Sequence, residues 1–358
     1  VKLMKRVYYS FIFLLFSFGC SSIEEDKSML QESINNYEGY HPYDAKDFLL
    51  GNHTEDRYQA DYDFYGNLLE EINRIQSSNL SKEDRISWKL LKFLVEDHRA
   101  NFEFKTHLNP LLSDAGFHNS LVYRVRPLTS MKQSKDYLKM LQSIPLFVDQ
   151  NIILLRKGLE AGVSQPIVIF EGYESTYEKH ITKIVEDNFY FSPFKNLPAQ
   201  LSEKEKDSLL IAAHASIEKN VIPSFQKIKD FFESEYYSKT RKAIGVSQTP
   251  NGAAFYQDRI AYYTTLEMSA EEVHELGLKE VAKVRKAMES IIKEVEFQGS
   301  FEDFFAFLRS DKQFYAKTGN ELLMRARDIS KRLDEQLPKF FKTLPRTPYG
   351  VAPVPDAI

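Results

Sequence analysis

Residues 269–295 read SAEEVHELGLKEVAKVRKAMESIIKEV, and the spacing of their apolar positions decides the fold class. Val273, Gly277, Val281, Val284, Met288, Ile291 and Val295 recur at steps of three or four, so they form one stripe along a helix. Ser269 stands three residues before Glu272, a helix start in which the hydroxyl accepts from a free N–H and the acid favours the positive helix end. Ser81 with Asp84, Ser202 with Glu205, Ser300 with Asp303 and Thr318 with Glu321 repeat the pattern. After Thr318 a second stripe runs through Leu322, Ala326, Ile329, Leu333 and Leu337, and Pro338 is expected to stop it. The spans 58–75, 86–94, 137–159, 167–185 and 209–232 behave similarly, with Pro145 and Pro223 expected to break or kink two of them. Aromatic residues at this spacing are core positions. Strand signals are confined to Ser120–Val125 (SLVYRV) and the extended passage Tyr349–Val354. The predicted class is mostly α, a multi-helix array with few strands.

Composition agrees. The chain has 358 residues, 43% of them hydrophobic and 13% aromatic, enough for a sizeable core in one or two domains. With 14 glycines it is poor material for Gly-rich phosphate loops or turn-dense β folds. Forty-seven basic residues against 51 acidic give a net charge of −4. That leaves no basic field for phosphates and argues against a nucleic-acid partner. Cys20 is the single cysteine, so neither an internal disulfide nor a Cys-rich metal site can form.

Residues 1–20 carry Lys2, Lys5 and Arg6 ahead of an apolar run from Val7 to Phe18. The run is too short to span a bilayer, which takes about 20 residues, and has the proportions of a signal-peptide core. Ser17-Phe18-Gly19-Cys20 resembles a bacterial lipobox, in which the cysteine becomes lipidated and is the new N-terminus. The expected organisation is a signal peptide over 1–19, lipidated Cys20 with a polar tether over 20–45, and a helical domain over 46–358. Cleavage before Cys20 removes Lys2, Lys5 and Arg6 and no acid, so −4 becomes −7. Membrane attachment is then expected through acyl chains alone, at the bacterial cell envelope.

The chemistry-bearing motifs are sparse. His274-Glu275 begins an H-E-x-x-H metallopeptidase signature, but Leu278 stands where the second histidine belongs, and no two histidines lie four residues apart. Glu271 and His274 supply one Glu-x-x-His pair of a di-iron bundle without its partners. No G-x-S-x-G elbow, P-loop or G-x-G-x-x-G occurs. The densest polar-aromatic stretch is GAAFYQDRIAYYTT, residues 252–265, where Tyr256, Arg259 and Tyr263 share a stripe with Tyr262 beside them. A guanidinium flanked by phenols can bind a carboxylate or a peptide carbonyl. The alternative is that Arg259 pairs with Asp258 or Glu267. These four residues are the candidate substrate contacts; no catalytic or metal-ligating residue is assigned.

The run from Asn251 to Arg285, the blocks FVDQN (147–151), LLRKG (154–158) and Gly162-Val163, and Pro348–Val351 with Pro353–Asp356 together resemble the bacterial domain of unknown function 885 family. The likeness implies a secreted or lipid-anchored, largely helical protein related to gluzincin-type zinc peptidases. It implies zinc for full-length relatives, held by a His-Glu pair followed by Pro-Gly-His in sequence beyond Ile358, so the chain reads as an N-terminal portion cut short on its C-terminal side. The expected function is that of a zinc-peptidase-like envelope lipoprotein lacking its metal-binding segment and inactive as it stands. The alternative is a non-catalytic helical lipoprotein that binds a peptide or an envelope partner.

Overall fold

The computed structural model describes residues 22–43, 46–112 and 115–354. Cys20, the signal segment and Pro355–Ile358 lie outside them. The chain falls into two compact units, dividing between Leu266 and Glu267, where the sequence suggests one helical domain over 46–358.

Two cores organise the first unit. The smaller is built by α1 (Ser22–Gly39), α2 (Glu55–Arg74) and α3 (Lys82–Glu103), which enclose Leu30, Leu68, Ile72, Leu91 and Val95. Trp88 Nε1 donates to the Ile72 carbonyl at 3.0 Å. The segment expected as a polar tether is therefore helical from Ser22 onward. Asp26, nearly buried, accepts from the Gln76 amide at 3.0 Å and from Asn79 Nδ2 at 2.8 Å, fastening the start of α1 to the turn after α2.

The larger core surrounds α4 (Met131–Glu160), whose Leu141, Ile144, Val148, Ile152 and Leu155 are almost wholly buried. Against it pack α5 (Glu203–Ser216), α6 (Ile222–Phe231) and short 3-10 segments that supply Phe117, Phe170 and Phe194. The helix passes through Pro145 without a break. Pro223 follows a π-helical turn over Ile217–Val221 and sits in the first turn of α6. There a missing N–H costs least, so it interrupts nothing.

SLVYRV is not a strand. Phe117–Arg124 winds as a 3-10 helix, because burying Phe117, His118 and Leu121 together needs a step of about three, not two. The strands, β1 (Leu111–Leu112) and β2 (Ala115–Gly116), form a minimal antiparallel pair in the register Leu111↔Gly116.

The second unit holds α8 (Ala270–Glu294), α9 (Phe301–Ser310) and α10 (Gly319–Phe340). The start signals act as expected. Ser269 and Ser300 form reciprocal capping boxes, and Thr318 Oγ1 accepts from the Glu321 amide at 3.1 Å. Pro338 does not stop α10, which continues two residues to Phe340. The Tyr349–Val354 passage pairs with no strand; the Val351 carbonyl accepts from Arg327 Nε at 3.0 Å. Within this unit Ile292 is the buried apolar residue of the helices, while Val281, Val284, Ile291, Leu322 and Leu333 are at least half exposed.

Two histidines are enclosed in the larger core. His118 Nε2 lies 2.9 Å from Thr176 Oγ1, and that hydroxyl donates to the Tyr173 carbonyl at 2.7 Å, so the imidazole is the donor. Burial, with Lys179 adding repulsion, pushes His118 down to about 3 and His180 to about 4. An unfolded histidine titrates near 6.5, so as pH falls the unfolded chain takes up protons first. Stability is complete above about pH 6.5 and is lost towards pH 4, by up to roughly 1.4 kcal/mol per pH unit per histidine. The urea midpoint is expected to drop between pH 7 and pH 5, with a smaller drop in His180→Phe; a midpoint constant over that range would contradict this account.

Candidate functional site

The residues singled out from sequence lie on α7 (Gly252–Thr264), which runs antiparallel along α3. Phe255 meets Phe104 at 5.5 Å, Arg259 meets Asp97 at 2.7 Å, and Tyr262 stacks on Phe93 at 4.9 Å with planes 9° apart. The inward face of α7 is thus half aromatic and half ionic. Arg259 also bonds Asp258, Nε to Oδ2 at 2.9 Å, and its guanidinium lies 4.7 Å from the Tyr262 ring. Burial works against the cation, but Asp258 and Asp97 outweigh it and hold Arg259 above its ordinary pKa. Of the two acids weighed from sequence, Asp258 is a partner. Asp97, far off in the chain, is the one that ties the two helices together.

The four candidates therefore divide. Arg259 and Tyr262 come together against α3, and Tyr263 meets the Tyr262 ring edge-on at 5.1 Å. Tyr256 and Tyr263 are outward, 45% and 78% exposed.

A second constellation went unnoticed in the sequence. Six side chains stack in order: Arg57 on Tyr58 at 3.7 Å, Tyr58 on His107 at 4.8 Å, His107 on Phe102 at 4.9 Å, Phe102 on Tyr62 at 4.8 Å, and Arg99 over Tyr62 at 4.7 Å. Their order in space follows helix geometry, since Tyr58 and Tyr62 are four apart on α2 and Arg99 and Phe102 three apart on α3. The Tyr58/Tyr62 pair was the available signal; His107 comes from the turn after α3 and could not be placed. Both guanidiniums are held, Arg57 by Asp61 at 2.5 Å and Arg99 by Glu103 at 3.2 Å. Tyr62 accepts from Arg99 at 2.8 Å and donates to Glu103 at 3.1 Å. Burial lowers the pKa of His107 within the stack.

Beside this wall lies a cleft of about 690 Å³, with Lys105 and Glu103 on one side and Lys157 and Glu160 on the other. Lys157, from the last turn of α4, is ion-paired with Glu55 at the start of α2. The base is closely packed: a Cβ on Gly158 would lie 2.5 Å from the Leu108 carbonyl oxygen. Lys105, just past the end of α3, has φ +57°.

A zinc ion would need three protein donors and an open position. His274 and Glu275 are exposed on the first turns of α8, and among the described residues no three His, Cys, Asp or Glu side chains are grouped to hold a metal. The described residues do not fit a zinc site.

A sequence model of the family described as "Bacterial protein of unknown function (DUF885)" matches residues 35–358. Among solved structures, one described as a "putative lipoprotein" from Colwellia psychrerythraea superposes with a TM-score of 0.68 at 16% identity, over 91% of this chain and 61% of that one. The chain thus spans about three-fifths of that protein's length, and at this identity the likeness is one of fold. No curated protein matches.

The division of α7 has a measurable consequence. Arg259→Met leaves Asp97, itself only 17% exposed, without its cation, and is expected to cost about 1–3 kcal/mol. Tyr263→Ala, on the outward face, should stay within about 0.5 kcal/mol. Chemical denaturation of both variants checks this; equal losses would mean that the inward ion pair does not anchor α7.

Proposed function

The chain belongs to the DUF885 family, and from that membership we propose that it is a portion of a zinc-peptidase-like envelope lipoprotein, anchored through Cys20, that engages peptide but does not cleave it as it stands. The reading rests chiefly on one observation. Among the described residues, no third donor is grouped with His274 and Glu275, the nearest approach to a metallopeptidase motif. Without three ligands a metal cannot lower the pKa of a bound water, so the zinc-peptidase route to hydrolysis lacks its nucleophile.

The anchoring part draws on the apolar segment ending at Cys20, and on a fold shared with a protein described as a "putative lipoprotein". Among the described residues no helix is long and apolar enough to cross a membrane, so attachment would come through lipid. Peptide contact would fall to the outward Tyr256 and Tyr263, with Arg259 and Tyr262 holding their helix in place. An exposed tyrosine loses little side-chain entropy on contact and offers both an apolar face and a hydroxyl.

Elemental analysis of the purified chain is expected to find no stoichiometric zinc, and unstructured peptide substrates should remain uncut. One zinc per chain together with zinc-dependent cleavage would overturn the proposal.

A further inference from the structure

We infer that the cleft between the two cores of the first unit binds a small zwitterion, of amino-acid or dipeptide size, through Lys105 and Glu160. Several of the charges around the cleft are already engaged. Lys157 is paired with Glu55, and Glu103 is engaged by Arg99 and by the Tyr62 hydroxyl. Lys105 and Glu160 also line the cleft, and among the described residues neither has an ion-pair partner. One unpaired cation and one unpaired carboxylate remain. A purely anionic ligand would meet the Glu160 carboxylate unscreened, and a purely cationic one the Lys105 ammonium. A ligand carrying both an ammonium and a carboxylate satisfies both.

The backbone at Lys105 is a second, independent observation. A residue with φ +57° directly after a helix is the position where glycine is cheapest, and a side chain there costs on the order of 1 kcal/mol. A lysine is held there against that cost, and it lines the cleft. Tyr62, Phe102 and His107, which also line the cleft, are stacked on one another and so held in place. A volume of about 690 Å³ lies within the range of small-molecule sites.

Isothermal titration of the full chain with alanyl-phenylalanine tests the inference, with its N-acetylated and its C-amidated forms as one-ended probes. The zwitterion is expected to bind, and each one-ended probe to bind at least 10-fold more weakly. Lys105→Gly should weaken binding at least 10-fold while raising the melting temperature, a combination that a purely structural lysine would not give. Glu160→Gln should weaken the zwitterion and, by removing a like charge, strengthen the acetylated probe. Absence of binding at millimolar dipeptide, equal affinity for all three probes, or unchanged binding by Lys105→Gly would each overturn it. Zinc content and hydrolysis do not enter these measurements, so they leave the proposed function to its own test.

Discussion

Enclosing α4 is the constraint on which the first unit depends. A helix that is apolar over most of its circumference must be covered over most of it, and from Tyr137 to Gly158 what reaches solvent is a single stripe through Lys139, Gln142, Leu146, Ile153 and Arg156. The helical run from Glu203 to Lys239 cannot wrap α4 completely, and the remaining surface is closed by short 3-10 segments carrying large aromatic residues. Phe117, Phe170 and Phe194 enter the core from such segments. This explains a fold that is mostly helical in content yet irregular around its centre. It also fixes the last turn of α4, where Arg156 forks onto Glu235 and Lys157 reaches Glu55, so that Lys157 and Glu160 beside the cleft stand on a helix tied down from two sides.

The same demand accounts for the π-helical turns. The run from Glu203 to Lys239 would drift off its own apolar stripe if it kept a strict α-helical step. The turns at Ile217–Val221 and Phe232–Tyr236 each use a wider i→i+5 bond. The consequence is that Ile217, Val221, Phe225, Ile228, Phe232 and Tyr236 are all fully or nearly fully buried. Pro223 is tolerated for a related reason, since the first of these turns resets the hydrogen-bond pattern just before it.

What could be read in the sequence was local. Caps such as Ser202 with Glu205 and Ser269 with Glu272 need residues three apart, and they form where expected. The apolar stripes of α8 and α10 were equally legible as helix signals, but a stripe records which face is apolar and not what covers it. Val284 and Ile329 are half exposed despite ideal spacing. SLVYRV failed as a strand because alternation over six residues is also compatible with a 3-10 step, and only the neighbours decide. Asp97 and Arg259 show the limit most clearly. Two charged residues on different helices carry no mark of one another until the helices are packed, so a guanidinium that looked available for a ligand is largely committed to holding α7 on α3.

That commitment sharpens the contrast between the two places where polar aromatic residues gather. On α7 the inward ring is used up by Phe93 and Arg259, and what remains outward is two phenols with no fixed charge of their own. In the stack from Arg57 to Arg99 every ring face is occupied. Each contact adds about 0.5–1.5 kcal/mol, and ordering six side chains has already been offset by folding. A ligand at the cleft therefore meets a wall whose conformational entropy is spent, and binding there loses less freedom than binding at exposed side chains does. Recognition beside such a wall is left to the charges that the stack does not neutralise, and their number and sign, one ammonium and one carboxylate, set the chemistry that fits.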